Sequence, residues 1–177
     1  MQTVPMVFRV RRIWALWSDE KEFLSQRDSA GILVYNNRSA VKTERSIGNV
    51  KENFVMKMIS TTNAPGAIGP YSQGYTANGM IFTSGQIPID PATGEMPEGI
   101  AAQTEQSCKN VIAILEAAGS GAEKVIKTTC FLADISDFAV FNEVYAKYFT
   151  SKPARSCVAV KQIPKGALCE IECIALA

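Results

Sequence analysis

Regular hydrophobic periodicity begins only near Met56. This late start confines the chain to one small domain, residues 56–177, behind an extension, residues 1–55. The two parts differ in charge. The extension holds nine Lys+Arg and six Asp+Glu, a net of +3; the domain holds nine and eleven, a net of −2. Six of the seven arginines precede Met56, as do Trp14 and Trp17, whereas all five cysteines follow it. Residues 7–17, with Arg9, Arg11 and Arg12 and no acid before Asp19, suit a short basic helix of the kind that opens an organellar transit peptide. Residues 25–52 are polar and irregular and hold too few apolar side chains for a core of their own. The extension is therefore expected to lie outside the fold, as a targeting segment or an upstream leader. The leader reading has a genetic-code basis: Lys51-Glu52 can be encoded by AAGGAG, a ribosome-binding sequence, three codons ahead of Met56.

From Met56 on, the pattern alternates between periods of two and of 3.6. Residues 57–62 suit a strand, and residues 63–74 a Gly/Pro-rich loop. Residues 74–85 read as a hairpin, because Asn78-Gly79 fits the positive-φ positions of a type I′ turn. Ala101, Thr104, Cys108, Val111, Leu115 and Ala118 recur at helical spacing, with Gln103, Glu105, Gln106, Lys109 and Asn110 on the other sides and Gly119 as a stop. Residues 125–133 are β-branched and read as a strand. Ser136 suits the cap of a second helix, along which Phe138, Phe141, Tyr145, Tyr148 and Phe149 align. Residues 156–160 and 168–176 complete the strands. The order β-ββ-α-β-α-ββ predicts an α+β domain, one sheet with two helices on one face.

Composition narrows the chemistry. The chain has no histidine, which removes the commonest general base, the Ser-His and Cys-His pairs and most zinc sites. No apolar run is long enough to span a membrane. Cys108, Cys130, Cys157, Cys169 and Cys173 form no C-x-x-C, and their apolar settings suit buried thiols in a reducing cytoplasm.

Arg155 is the single arginine of the domain, placed at a strand entrance among eight lysines. Its planar fork can grip a carboxylate with two parallel hydrogen bonds, which a lysine cannot do. In Cys169-Glu170-Ile171-Glu172-Cys173, strand alternation puts both glutamates on one face and the cysteines on the other. A carboxylate there either is solvated or lines a cleft, where burial would raise its pKa and suit it to moving protons. Thr83-Ser84-Gly85-Gln86 can cradle an anion, and Gly69-Pro70-Tyr71 can present a phenol at a pocket mouth. Arg155 and Glu170 near strand ends leave little room for a deep pocket within so short a chain, which favours a cleft between subunits.

In order, the segments AIGPYSQG (67–74), FTSGQIPIDPATGE (82–95), VIKTTCFLADISDFAVFNEVY (125–145), PARSCVAV (153–160) and IPKGALCEIECIA (163–175) resemble the reactive intermediate deaminase (Rid, formerly YjgF) family, its RidA subgroup in particular. The resemblance covers nearly all of 56–177 and none of 1–55. It implies a fold similar to bacterial chorismate mutase, assembled as a barrel-like homotrimer with clefts between subunits. It implies hydrolysis of 2-iminopropanoate and 2-iminobutanoate, released by pyridoxal-phosphate dehydratases, to 2-oxo acids and ammonia, without a cofactor or metal. Residue by residue, it implies that Arg155 binds the substrate carboxylate and Glu170 positions water. It places Tyr71, Ser84 and Asn142 around the pocket, and Gly85 and Cys157 as donors of main-chain groups. The short connection 149–153 departs from relatives with a longer loop, which bears on the pocket rim. Two rival expectations are a ligand-binding regulator of the same fold and a ribonuclease or translation inhibitor. A domain of net charge −2 with one arginine is a poor polyanion binder.

Overall fold

The structure, a computed structural model, describes residues 40–47 and 50–177, with side chains from Val55 onward. Seven strands form one sheet: β1 (Ala40–Ile47), β2 (Val50–Ile59), β3 (Gly74–Ala77), β4 (Met80–Thr83), β5 (Val125–Leu132), β6 (Ala154–Ala159) and β7 (Cys169–Leu176). Among the described residues, two α-helices, α1 (Ile100–Ala117) and α2 (Phe138–Tyr148), accompany the sheet. The strand order is β1-β2-β3-β4-β7-β5-β6. All neighbours are antiparallel except β5 and β6, which α2 connects as a parallel crossover unit. This is the expected α+β arrangement, with one difference at its start. The strand expected over 57–62 begins at Val50, and β1 pairs with it along its length, so backbone pairing reaches further toward the N-terminus than periodicity suggested. The basic helix expected over 7–17 lies outside the described residues.

Alternation positions the core. Cys169, Ile171, Cys173 and Ala175 on β7, Ile81 on β4 and Cys130 and Leu132 on β5 are buried on the same face, against Cys108, Val111, Ile114 and Leu115 of α1 and Phe141 and Tyr145 of α2. Asn78 and Gly79 both take positive φ, 49° and 74°, as the hairpin turn requires.

Two expectations need correction. Gln103 and Asn110 are buried, not outward-facing, while Ala101 is exposed. Their amides serve the loops. Asn110 Nδ2 donates to the carbonyls of Ile87 (3.0 Å) and Ile89 (2.9 Å). Gln103 Nε2 donates to Pro97 O (3.0 Å), and its Oε1 accepts from Leu168 N (2.7 Å). Satisfied in this way, an amide can be buried at little net cost. The capping side chain ahead of α2 is Asp134, whose carboxylate accepts from Ser136 N at 2.8 Å and starts a 3-10 turn over Ile135–Asp137.

Candidate active site

Register and burial divide the expected site residues between the two faces of the sheet. In the parallel β5–β6 ladder, Arg155 is paired with Thr128 and Cys157 with Cys130. Thr128 and Cys130 are fully buried beneath the helices, so Arg155 and Cys157 lie on the helix face. The guanidinium carbon of Arg155 lies over the rings of Tyr145, 4.8 Å from the centroid, and Phe138, 5.6 Å. Among the described residues, the one salt bridge is Lys109–Glu105 (2.7 Å) on the surface of α1, so Arg155 has no carboxylate partner there. Its guanidinium opens on a cleft of about 440 Å³ shared with Asn142, Tyr145, Phe149 and Lys152. Asn142 Oδ1 is the single buried side-chain oxygen or nitrogen among the described residues that lacks a hydrogen-bond partner.

Glu170 points the other way. Its sequence neighbours Cys169 and Ile171 are fully buried under the helices, so Glu170 and Glu172 stand on the open face, half-buried, beside Phe131 and Thr129 of β5. Burial, and secondarily the charge of Glu172, raise the pKa of Glu170 above the ordinary 4.5. Its carboxylate lies against Gly85: a β-carbon there would clash with Oε1 and stand 2.7 Å from Cδ. Ser84, next in line, donates from Oγ to Ser72 O (2.6 Å) and from its backbone N to Gln73 O (2.9 Å). These bonds tie the β4 end to the 60–73 loop, where Tyr71 is exposed at a second cleft of about 910 Å³. Glu172 lines a smaller cleft of about 300 Å³ with Lys127 and Phe82.

The fold thus makes two clusters in one chain. Arg155, Asn142 and Cys157 lie on the helix side; Glu170, Gly85, Ser84 and, through Ser72, Tyr71 are connected on the other. Cys157 is half-buried, and burial lifts its thiol pKa, with Arg155 only partly opposing. A neutral thiol suits a packing role and not that of a nucleophile. The other four cysteines are buried and free, their thiol pKa values also raised by burial. Among the described residues, no group of three or more His, Cys, Asp or Glu is placed to hold a metal ion, and no helix is long and apolar enough to cross a membrane.

The sequence reading passed over Tyr145, Phe138 and Thr128 as site neighbours. The available signal was the spacing of Phe138 and Tyr145, seven residues apart and so on one helix face, directly before the segment that carries Arg155.

Residues 61–177 match the family model described as Endoribonuclease L-PSP. The chain belongs to this family, also known as YjgF/RidA. It is 52% identical over 124 residues to the 2-iminobutanoate/2-iminopropanoate deaminase of Escherichia coli K12, an alignment covering 68% of this chain and 97% of that protein. It is 53% identical over 122 residues to AldR of Lactococcus lactis, named as a candidate regulator, covering 68% and 97%. The crystal structure of E. coli TdcF with bound serine superimposes with a TM-score of 0.67 at 49% identity, covering 68% of this chain and 98% of TdcF. The family match therefore covers β3 to β7 and both helices and begins just after β2 ends.

Proposed function

We propose that the chain hydrolyses short 2-imino acids, 2-iminobutanoate and 2-iminopropanoate, to 2-oxo acids and ammonia, at clefts between the subunits of a homotrimer in the cytoplasm. One observation carries this reading. A guanidinium without a carboxylate partner among the described residues and a carboxylate of raised pKa stand on opposite faces of one sheet, in a chain 52% identical to a protein named for that activity. Two groups on opposite faces cannot close on one small molecule within a chain. A second copy, bringing its open face toward the Arg155 edge, joins them. The open face supports such an assembly, since Phe82, Val158 and Leu176 are each close to half exposed on it, an apolar surface that association would cover.

In this reading, Arg155 takes the substrate carboxylate in a two-bond fork, with main-chain groups at Gly85 and Cys157 completing the anion site. Asn142 and Tyr71 shape the cleft, and Ser84 holds the loop that carries Tyr71. Glu170 accepts a proton from water as its oxygen attacks the iminium carbon. The same carboxyl returns that proton to nitrogen. The carbinolamine then collapses, its hydroxyl proton passing to solvent through Glu170, and ammonia leaves. Water supplies the keto oxygen, and no bond to the protein forms. The substrate is already reactive, so positioning and electrostatics suffice without histidine.

The experiment is to generate 2-iminobutanoate with a threonine dehydratase and follow ammonia and 2-oxobutanoate with and without this protein. Acceleration that disappears in Arg155→Ala supports the proposal; no acceleration at any protein concentration refutes it. Because the family model carries an endoribonuclease description, an RNA-cleavage assay runs beside it.

A further inference from the structure

Arg155 lies on β6, the last strand of the sheet order, with a sheet neighbour on one side only among the described residues. A long side chain at such an edge loses substantial rotamer freedom if it is to wait in one place. An acidic neighbour would hold it but would also occupy the N–H groups that a substrate carboxylate needs. The structure uses aromatic faces instead, which attract a guanidinium without consuming its in-plane donors.

Tyr145, the nearer ring, is itself fixed at both ends. Its ring is buried between Phe149, 4.6 Å between centroids, and Phe141, 5.8 Å. Its hydroxyl is 2.7 Å from Oγ1 of Thr128, which is completely buried. Thr128 is also the ladder partner of Arg155. A closed circuit results. The β5–β6 pairing sets Thr128 beside Arg155, Thr128 holds the Tyr145 hydroxyl, and the Tyr145 ring carries the guanidinium that extends from the same rung.

We infer that Tyr145 is a positioning residue for Arg155, and that its bond to Thr128 sets the orientation in which the guanidinium meets a carboxylate. The inference rests on the proposed role of Arg155 as carboxylate binder. A proton-transfer role for Tyr145 is disfavoured, because burial lifts the phenol to about 12, so it stays neutral near pH 7.

The test uses the full chain and pyruvate as an unreactive carboxylate probe, with pyruvate affinity, KM and kcat measured for each variant alongside thermal midpoint and assembly size. Tyr145→Phe and Thr128→Val each remove one side of the hydroxyl bond and keep shape. Both are expected to weaken pyruvate binding and raise KM by about threefold to tenfold, with kcat little changed. Their combination should be no worse than either alone, since both break one bond. In an Arg155→Lys background, which keeps the charge but has no planar fork to orient, Tyr145→Phe should cause no further loss of the residual binding, a dependence that a purely structural role would not produce. If Arg155→Ala abolishes binding while folded Tyr145→Phe and Thr128→Val bind pyruvate like the parent protein, the positioning role is overturned and the carboxylate reading stands. If Arg155→Ala itself binds normally, both fall.

Discussion

The carboxylate of Glu170 occupies the place where any residue but glycine at position 85 would carry its β-carbon. The requirement is for space and not for a left-handed backbone, since Gly85 is not among the positive-φ residues. Gly85→Ala is therefore expected to fold, with a loss of about 1–3 kcal/mol from overpacking, while driving Glu170 from its position. Turnover should fall at least about tenfold. A calorimetric scan together with the ammonia assay checks this. Unaltered turnover in the alanine variant would mean that the position of Glu170 is not critical.

The two glutamates of β7 should divide sharply. Glu170→Gln is expected to lower kcat about 100-fold or more, the scale of a lost general base, while leaving pyruvate affinity nearly intact. Glu172→Gln, in its own cleft with Lys127, should cost little turnover. Steady-state kinetics on both variants decide the matter, and a reversed pattern would reassign the water-handling group to Glu172.

Glu170 also links stability to pH. Its pKa in the folded chain is above the usual 4.5, through burial first and the Glu172 charge second. A raised acid binds its proton more tightly in the folded state. Its stabilising contribution is thus complete below about pH 4.5 and is lost as pH rises through the folded pKa. Glu170→Gln resembles the protonated form, so it should be more stable than the parent at pH 8, by at most about 1 kcal/mol given solvent screening, and equal to it near pH 4. Urea titrations at both pH values measure the difference. A gain that grows toward low pH would contradict the assignment.

Opposite-face placement of Arg155 and Glu170 makes complementation the sharpest assembly test. Arg155→Ala and Glu170→Gln chains, each inactive alone, should regain activity when co-assembled, because some interfaces then unite an intact arginine with an intact glutamate. With random mixing in a cyclic trimer, about one quarter of sites should be restored. Mixed assemblies that stay inactive would place the two groups in one subunit's site, or outside any shared site.

Deletion of residues 1–55 should leave the active fold in place. The family match starts at residue 61, and β2 retains its Met56–Ile59 pairing with β3 after the cut. A chain starting at Met56 is expected to keep its assembly size and kcat, with a modest fall in thermal midpoint from the lost β1–β2 ladder. Dissociation or loss of turnover on deletion would show that the extension serves the domain.

Much of this was legible because it is local. The alternation of Cys169, Ile171 and Cys173 against Glu170 and Glu172 needs only the period of a strand, and Asn78-Gly79 needs only turn stereochemistry. What escaped is non-local. Gln103 and Asn110 look solvent-facing until the loop backbone groups they bind are known, and those come from residues 6 to 65 positions away. That Arg155 and Glu170 face apart follows from β5 lying between β6 and β7, an ordering that no periodicity encodes. Tyr145 reads as one more apolar-face aromatic until Thr128 is seen at its hydroxyl and Arg155 over its ring.

The last strand in the chain lies inside the sheet: β7 separates β4 from β5 and pairs Ile81 with Ala175. During synthesis, the two halves of the sheet must wait, edges bare, until β7 leaves the ribosome. Closure then comes at once, through contacts of high sequence separation. A nascent chain stalled or cut before β7 would lack its central ladder and should be left to chaperones or proteases, so the cell receives either the whole sheet or none of it.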